Sequence, residues 1–99
     1  DGIKMGNPAA YAASKGGLIQ LTRWLSTTLA PDIRVNTISP GGVFRNQPEE
    51  FVKRYEARVP LGRMAVEEDL KGVTAYLASD LSAYVTGQNI LVDGGWIAW

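Results

Sequence analysis

Tyr11-Ala12-Ala13-Ser14-Lys15-Gly16-Gly17 sits on a helical pattern, and the short β-branched run Ile33-Arg34-Val35-Asn36-Thr37-Ile38 follows it. That order, long helix and then strand, decides the fold class. Working outward, Asn7 is a good helix N-cap, and Pro8 suits a first helical position, where a backbone N–H has no partner in any case. Leu18, Leu21, Leu25 and Leu29 recur at helical spacing until Pro31, so a long helix with one apolar stripe is expected. Gly16 and Gly17 lie inside it at about 1 kcal/mol each relative to alanine, and such a pair is expected to mark close approach of another backbone.

The β-branched run ends in Ser39-Pro40-Gly41-Gly42, which reads as a strand entering a loop. A second helix is predicted from Pro48. Its Glu49 and Glu50 stand at the positive end of the helix dipole, and Lys53, Arg54 and Arg58 follow toward the negative end. Its apolar face, Phe51 and Tyr55, is narrow, as on a surface helix or one covering a cleft. A third helix is signalled by Glu67, Glu68 and Asp69 with Leu70, Val73 and Leu77 at helical spacing. After Gly87 the run Asn89-Ile90-Leu91-Val92 reads as a buried strand, closed by Asp93-Gly94-Gly95. Helix, strand, helices, strand is the rhythm of a parallel α/β sheet. Two strands are few for such a sheet, and with a first residue Asp1 rather than Met the chain reads as a piece of a longer protein.

Composition narrows the chemistry. The 99 residues carry 10 basic and 10 acidic side chains, with no histidine and no cysteine. The balanced charge gives no footprint for nucleic acid or an anionic membrane surface. No apolar run approaches the ~20 residues of a membrane span. Cys/His zinc sites and Ser-His or Cys-His triads are excluded, and no metal site is expected. The lack of cysteine fits a reducing compartment, and a cytoplasmic location is expected. Acid–base chemistry near neutral pH is left to Tyr, Lys, Asp or Glu.

Tyr11 and Lys15 are four apart on a helix, hence neighbours on one face. A phenol of pKa ~10 is a poor acid–base group at pH 7, and a nearby ammonium favours the phenolate. The pair can therefore move a proton to or from an alcohol or carbonyl oxygen. Taken alone, Tyr-x-x-x-Lys is a weak motif that more often describes an aromatic beside a solvated lysine. Glu49/Glu50 and Glu67/Glu68/Asp69 could be named paired carboxylates, but both open helices, where capping is the expected role. Trp24 and Trp99 are expected to pack rather than stack on a ligand.

The surrounding blocks resolve the ambiguity. Tyr11 to Gly17, Ile33-Arg34-Val35-Asn36, Ser39-Pro40-Gly41-Gly42-Val43, Pro60-Leu61-Gly62-Arg63 with Glu68-Asp69, Leu77-Ala78-Ser79-Asp80, Thr86-Gly87-Gln88 and Val92-Asp93-Gly94-Gly95 occur in one order. Together they resemble the short-chain dehydrogenase/reductase family across nearly the whole chain. The resemblance implies the C-terminal portion of a Rossmann-like, doubly wound parallel sheet. Residues 1–99 would be the C-terminal half of a single domain, without the half that binds the dinucleotide phosphates. It implies an oxidoreductase that uses NAD or NADP to interconvert an alcohol and a carbonyl of a small molecule, and that assembles as a homo-oligomer, dimer or tetramer.

The resemblance also assigns roles. Tyr11 would be the general acid/base. Lys15 would hold the nicotinamide ribose and lower the Tyr11 pKa. Pro40, Gly41 and Val43 would pack beside the nicotinamide, with Val43 backbone groups near its carboxamide. Asp93, Gly94 and Gly95 are expected to shape a turn rather than touch substrate. Phe44 to Arg58 corresponds to a variable region over the substrate pocket. Two departures stand out: Arg45 replaces the usual threonine, and is expected to contribute to substrate or cofactor binding, and the family's catalytic serine falls ahead of Asp1. The 99 residues alone are therefore expected to be inactive. The competing expectation is a non-catalytic assembly or binding module derived from the same fold.

Overall fold

Three helices and two short strands make up the computed structural model, which describes residues 9–98. The expectations for Asn7, Pro8 and Trp99 fall outside those residues. Helix α1 spans Ala9–Thr28, strand β1 Thr37–Pro40, helix α2 Glu49–Arg58, helix α3 Glu68–Ala78 and strand β2 Asn89–Val92, with 3₁₀ turns at Asp80–Ser82 and Trp96–Ala98. Among the described residues, no helix is long and apolar enough to cross a membrane. The described residues divide into two compact units, one running up to Thr37 with Val85–Gln88 and the other from Ile38–Tyr84 with the residues from Asn89 on.

The first unit is built on α1, and its buried face differs from the one expected. Leu18, Leu21 and Leu29 are 50%, 48% and 37% exposed, whereas Thr22 and Ser26 are the buried residues of the helix. The Thr22 hydroxyl donates to the Leu18 carbonyl at 2.9 Å. With that proton committed, the Thr37 hydroxyl is the donor in the short contact between the two threonines. Ser26 donates to the Arg23 carbonyl at 2.7 Å and lies against Gly87, where a β-carbon would meet its Oγ at 2.7 Å. Small hydroxyl side chains let a backbone approach that leucines would hold off, and their polar groups are satisfied locally. A β-carbon on Gly16 or Gly17, expected to mark such an approach, would meet nothing within 4 Å beyond the helix itself among the described residues.

The strand expected from Ile33 begins only at Thr37. The preceding residues are tied to 85–88 largely by side chains. Arg34 Nη1 and Asn36 Nδ2 both donate to the Val85 carbonyl, at 3.1 and 2.9 Å, and Thr86 Oγ1 accepts from Val35 N–H at 3.0 Å. Asn36 Oδ1 also accepts from Gln88 N–H at 3.0 Å. These bonds stand where a regular ladder would otherwise run. Regular pairing follows, with Thr37 N–H on Gln88 O and Gly41 N–H on Val92 O, both at 2.8 Å. The partners advance in the same sense, so β1 and β2 are parallel.

In the second unit, α2 and α3 form where expected. Pro48 precedes α2, Glu49 and Glu50 occupy its first turn and Arg58 its last. Glu49–Lys53 and Glu50–Arg54 face each other one turn apart at 4.0 and 3.9 Å. Glu68 opens α3 and pairs with Lys71 at 2.7 Å. Val43 bridges Ala65 in parallel. Val59 and Met64, 4% and 5% exposed, are the buried apolar residues among those described.

Candidate functional site

Tyr11 and Lys15 belong to the first unit. They lie one turn apart on α1, and the Lys15 ammonium is 5.8 Å from the Tyr11 ring centroid. At that distance the cation is attracted to the ring face, so the expected pair is formed as a local contact. Tyr11 is 47% exposed, which leaves the phenol accessible. Ser14, between them in sequence, donates to the Tyr11 carbonyl at 2.8 Å and serves the helix backbone.

Pro40, Gly41 and Val43 belong to the second unit, at the end of β1. Gly41 is packed from within: a β-carbon there would meet Asp93 Cα at 2.9 Å and Tyr55 Oη at 3.0 Å. The bridge at Val43 runs through its neighbours, with Ala65 N–H on Gly42 O at 2.9 Å and Phe44 N–H on Ala65 O at 2.8 Å. In parallel pairing this turns Val43's own N–H and C=O to the opposite side. Its carbonyl accepts from Gln47 Nε2 at 3.0 Å. The Val43 amide therefore offers a donor, the group a carboxamide oxygen requires.

Asp93, Gly94 and Gly95 make a turn, as expected. Asp93 Oδ1 accepts from Gly95 N–H at 2.9 Å, and Trp96 N–H reaches back to the Asp93 carbonyl at 3.1 Å. Asp93 Oδ2 is buried with no hydrogen-bond partner among the described residues. Asp93 also lines a cavity of about 120 Å³ shared with Gly41, Gly42, Tyr55, Arg63 and Asp69.

The acidic clusters form helix-end and ion-pair contacts. Neither α2 nor α3 has a side-chain cap bond at its N-cap, contrary to the capping role expected, but Asp69 Oδ2 accepts from Val66 N–H at 2.7 Å just before α3. The same carboxylate takes a two-pronged grip from Arg63, at 2.7 and 2.8 Å. Those Arg63 hydrogen bonds, then the Val66 amide, hold the Asp69 carboxyl well below the usual carboxylate range, and the pairing raises the Arg63 guanidinium. Arg45 lies 3.7 Å from Glu67 and donates to the Phe44 carbonyl at 3.1 Å, with both side chains of the ion pair largely exposed.

Sequence reasoning missed two arrangements here. Tyr55 stacks on Trp96 at 4.7 Å between centroids and on Phe51 at 6.4 Å. Phe51 and Tyr55 were legible as one helix face, but nothing local pointed to Trp96. The Arg63–Asp69 grip was signalled only by the recurrence of both residues in the family-like blocks. Trp24, expected to pack, is 59% exposed.

With this geometry in hand, comparison with known proteins places the chain. A family model described as enoyl-(acyl carrier protein) reductase matches residues 2–97. A solved short-chain dehydrogenase from Leptospira borgpetersenii with bound NAD⁺ superposes at a TM-score of 0.88 and 46% identity, over 96% of this chain and 40% of that one. The chain belongs to the short-chain dehydrogenase/reductase family. Other members include the 3-oxoacyl-(acyl-carrier-protein) reductase of Thermotoga maritima, 42% identical over 97 residues, 91% of this chain and 39% of that protein. The NADP-dependent mannitol dehydrogenase of Alternaria alternata is 39% identical over 92 residues, 89% of this chain and 35% of that protein. The two strands and three helices are thus part of a Rossmann-like short-chain dehydrogenase/reductase fold, and the chain spans well under half the length of these relatives.

Proposed function

We propose that the protein carrying this chain is an NAD- or NADP-dependent oxidoreductase that interconverts an alcohol and a carbonyl. Tyr11 is its general acid/base, and Lys15 is the ribose-binding residue beside it. The observation that carries this is the Tyr11–Lys15 contact on α1, 5.8 Å from ammonium to ring centroid with the phenol accessible. In the direction of alcohol oxidation the Tyr11 phenolate oxygen takes the hydroxyl proton of the substrate, and in reduction the phenol returns it to the carbonyl oxygen. Lys15 stands beside the Tyr11 ring, and its ammonium donors suit ribose hydroxyls.

The cofactor supplies hydride exchange with the carbon of the same alcohol or carbonyl. The residues present fit such a group: Lys15 provides donors for a sugar, and the Val43 amide provides a donor whose own carbonyl is already committed to Gln47. Pro40 and Gly41 precede Val43 in the loop that packs beside the nicotinamide in this proposal. NAD⁺ bound in the Leptospira borgpetersenii relative supports the dinucleotide. The substrate is a small molecule, the working form a homo-oligomer and the location the cytoplasm. The oligomer is supported by the exposed Leu18 and Leu21, and the location by the absence of cysteine.

Steady-state kinetics on the full-length protein tests the assignment. Tyr11→Phe should lower kcat by about 10²–10⁴-fold with cofactor affinity kept, the usual worth of a general acid/base. Lys15→Ala should lower kcat and also raise the cofactor Kd. Near-parental kcat in Tyr11→Phe refutes the acid/base role, and an unchanged Kd in Lys15→Ala refutes the ribose role.

A further inference from the structure

Gly41 and Gly42 have no room for side chains, and residues of this chain occupy the space. A β-carbon on Gly42 would meet two ring carbons of Tyr55 at 2.6 Å, closer than real contacts allow. The same tyrosine bonds the glycine it covers, its hydroxyl oxygen accepting from Gly42 N–H at 2.5 Å. Its ring is held in turn, stacked on Trp96 at 4.7 Å with 22° between planes and on Phe51 at 6.4 Å. An aromatic ring in such a stack keeps few orientations, so its hydroxyl is a fixed point on α2.

The Gly42 carbonyl is anchored as well, by Ala65 N–H at 2.9 Å. That carbonyl and the Val43 N–H share one planar peptide and point in opposite directions. Fixing Gly42 on its N–H and its C=O therefore fixes where the Val43 N–H points. Tyr55 restrains the preceding Gly41–Gly42 peptide, and with Ala65 holding the next one it limits the rotation that two consecutive glycines otherwise allow.

We propose that Tyr55 is a positioning residue for cofactor binding: by holding Gly42 it keeps the Val43 amide set for the nicotinamide carboxamide. This rests on the functional reading above, which gives the Val43 backbone that partner. It adds a residue of α2 that acts through Gly42.

Tyr55→Phe in the full-length protein tests it, because the phenyl ring keeps the stack and the contact with Gly42 while losing the acceptor. Titration with NADH and NADPH by fluorescence, at a temperature where near-UV circular dichroism shows both proteins folded, should give a Kd raised about three- to tenfold for the dinucleotide the parent binds. A merely structural role would lower the melting temperature and leave that Kd alone, and a Kd within 1.5-fold of the parent overturns the proposal. Gly42→Ala, whose methyl group must displace the same ring, supplies a second arm. Its effect on Kd should be non-additive with Tyr55→Phe, since both act through one contact, and additive effects overturn the proposal. A parent that binds neither dinucleotide overturns the functional reading and this inference with it. A parent that binds, with Tyr55→Phe unchanged, overturns the positioning role alone.

Discussion

Replacing Gly87 by alanine attacks the packing of α1 at one point, and its effect can be built from two contributions. Gly87 has φ +73°, where an L side chain is disfavoured by about 1–2 kcal/mol. The added β-carbon would also stand 2.7 Å from Ser26 Oγ and 3.4 Å from Ser26 Cβ. Ser26 is 5% exposed, so its hydroxyl must rotate within a packed site and give up its 2.7 Å bond to the Arg23 carbonyl. Losing one such bond is worth about 1 kcal/mol. Denaturant unfolding of the full-length protein should therefore show Gly87→Ala less stable by about 2–3 kcal/mol. In a Ser26→Ala background the hydroxyl clash is gone and only the backbone contribution of about 1–2 kcal/mol should remain. The difference between the two backgrounds, about 1 kcal/mol, measures the Ser26 contact. A loss below about 0.5 kcal/mol in the parent background, or the same loss in both, would refute the reasoning.

Arg45→Thr should change KM for substrate or cofactor, since Arg45 stands two residues beyond Val43, and unchanged values for both would leave Arg45 as a partner of Glu67 alone. Asp69 titrates in the folded protein well below its ordinary value of 3.8, so its contribution to stability is present above that value and fades as pH falls through the lowered one. The stability difference between parent and Asp69→Asn should stay constant from neutral pH to about pH 5 and shrink below about pH 4, and a difference flat down to pH 2 contradicts the Arg63 grip. The 99-residue polypeptide made alone should self-associate or fold only in part and bind NADH and NADPH weakly. A compact monomer in sedimentation, or micromolar dinucleotide affinity, contradicts this.

Much of the fold was legible because its signals are local. Pro48 with Glu49 and Glu50, the acidic opening at Glu67 to Asp69, and the apolar run Asn89 to Val92 each announce an element within a few residues, and each element forms there, though β2 is not the buried strand expected, with Leu91 49% exposed. The failures are non-local. The leucine stripe of α1 looked like the buried face because hydrophobicity is read residue by residue, while burial depends on what the helix meets. It meets Thr37 and Gly87, which lie far along the chain and favour hydroxyl-bearing side chains at the contact. The start of β1 was misplaced for the same reason, since Arg34 and Asn36 spend their side chains on Val85. Of the candidate site, the neighbourhood of Tyr11 and Lys15 could be read from helical spacing, while their proposed role came only from the family-like blocks around them. Tyr55 on Trp96 could not, because no periodicity links residues on separate elements.

The hydroxyl face of α1 also bears on the chemistry. Tyr11, Lys15, Thr22 and Ser26 follow one another at intervals of four, seven and four residues, and at 3.6 residues per turn they fall along one row of the helix. Thr22 meets Thr37 and Ser26 meets Gly87, so these contacts set the rotation of α1 about its own axis, and Tyr11 and Lys15 inherit that rotation. Had the row of Leu18, Leu21, Leu25 and Leu29 been the packed face, the helix would be turned by about 70°, and the phenol would move several ångströms around the axis. A proton transfer tolerates far less, since donor and acceptor must come within about 3 Å. On the proposed function, the small hydroxyl residues would thus fix the direction of Tyr11 and Lys15, while Leu18, Leu21 and Leu29 remain exposed. Gly87→Ala should then reach the chemistry without touching it. A strain on Ser26 that turns α1 lowers kcat at saturating substrate, and an unaltered kcat in a destabilised Gly87→Ala protein would show that the orientation of Tyr11 is set elsewhere.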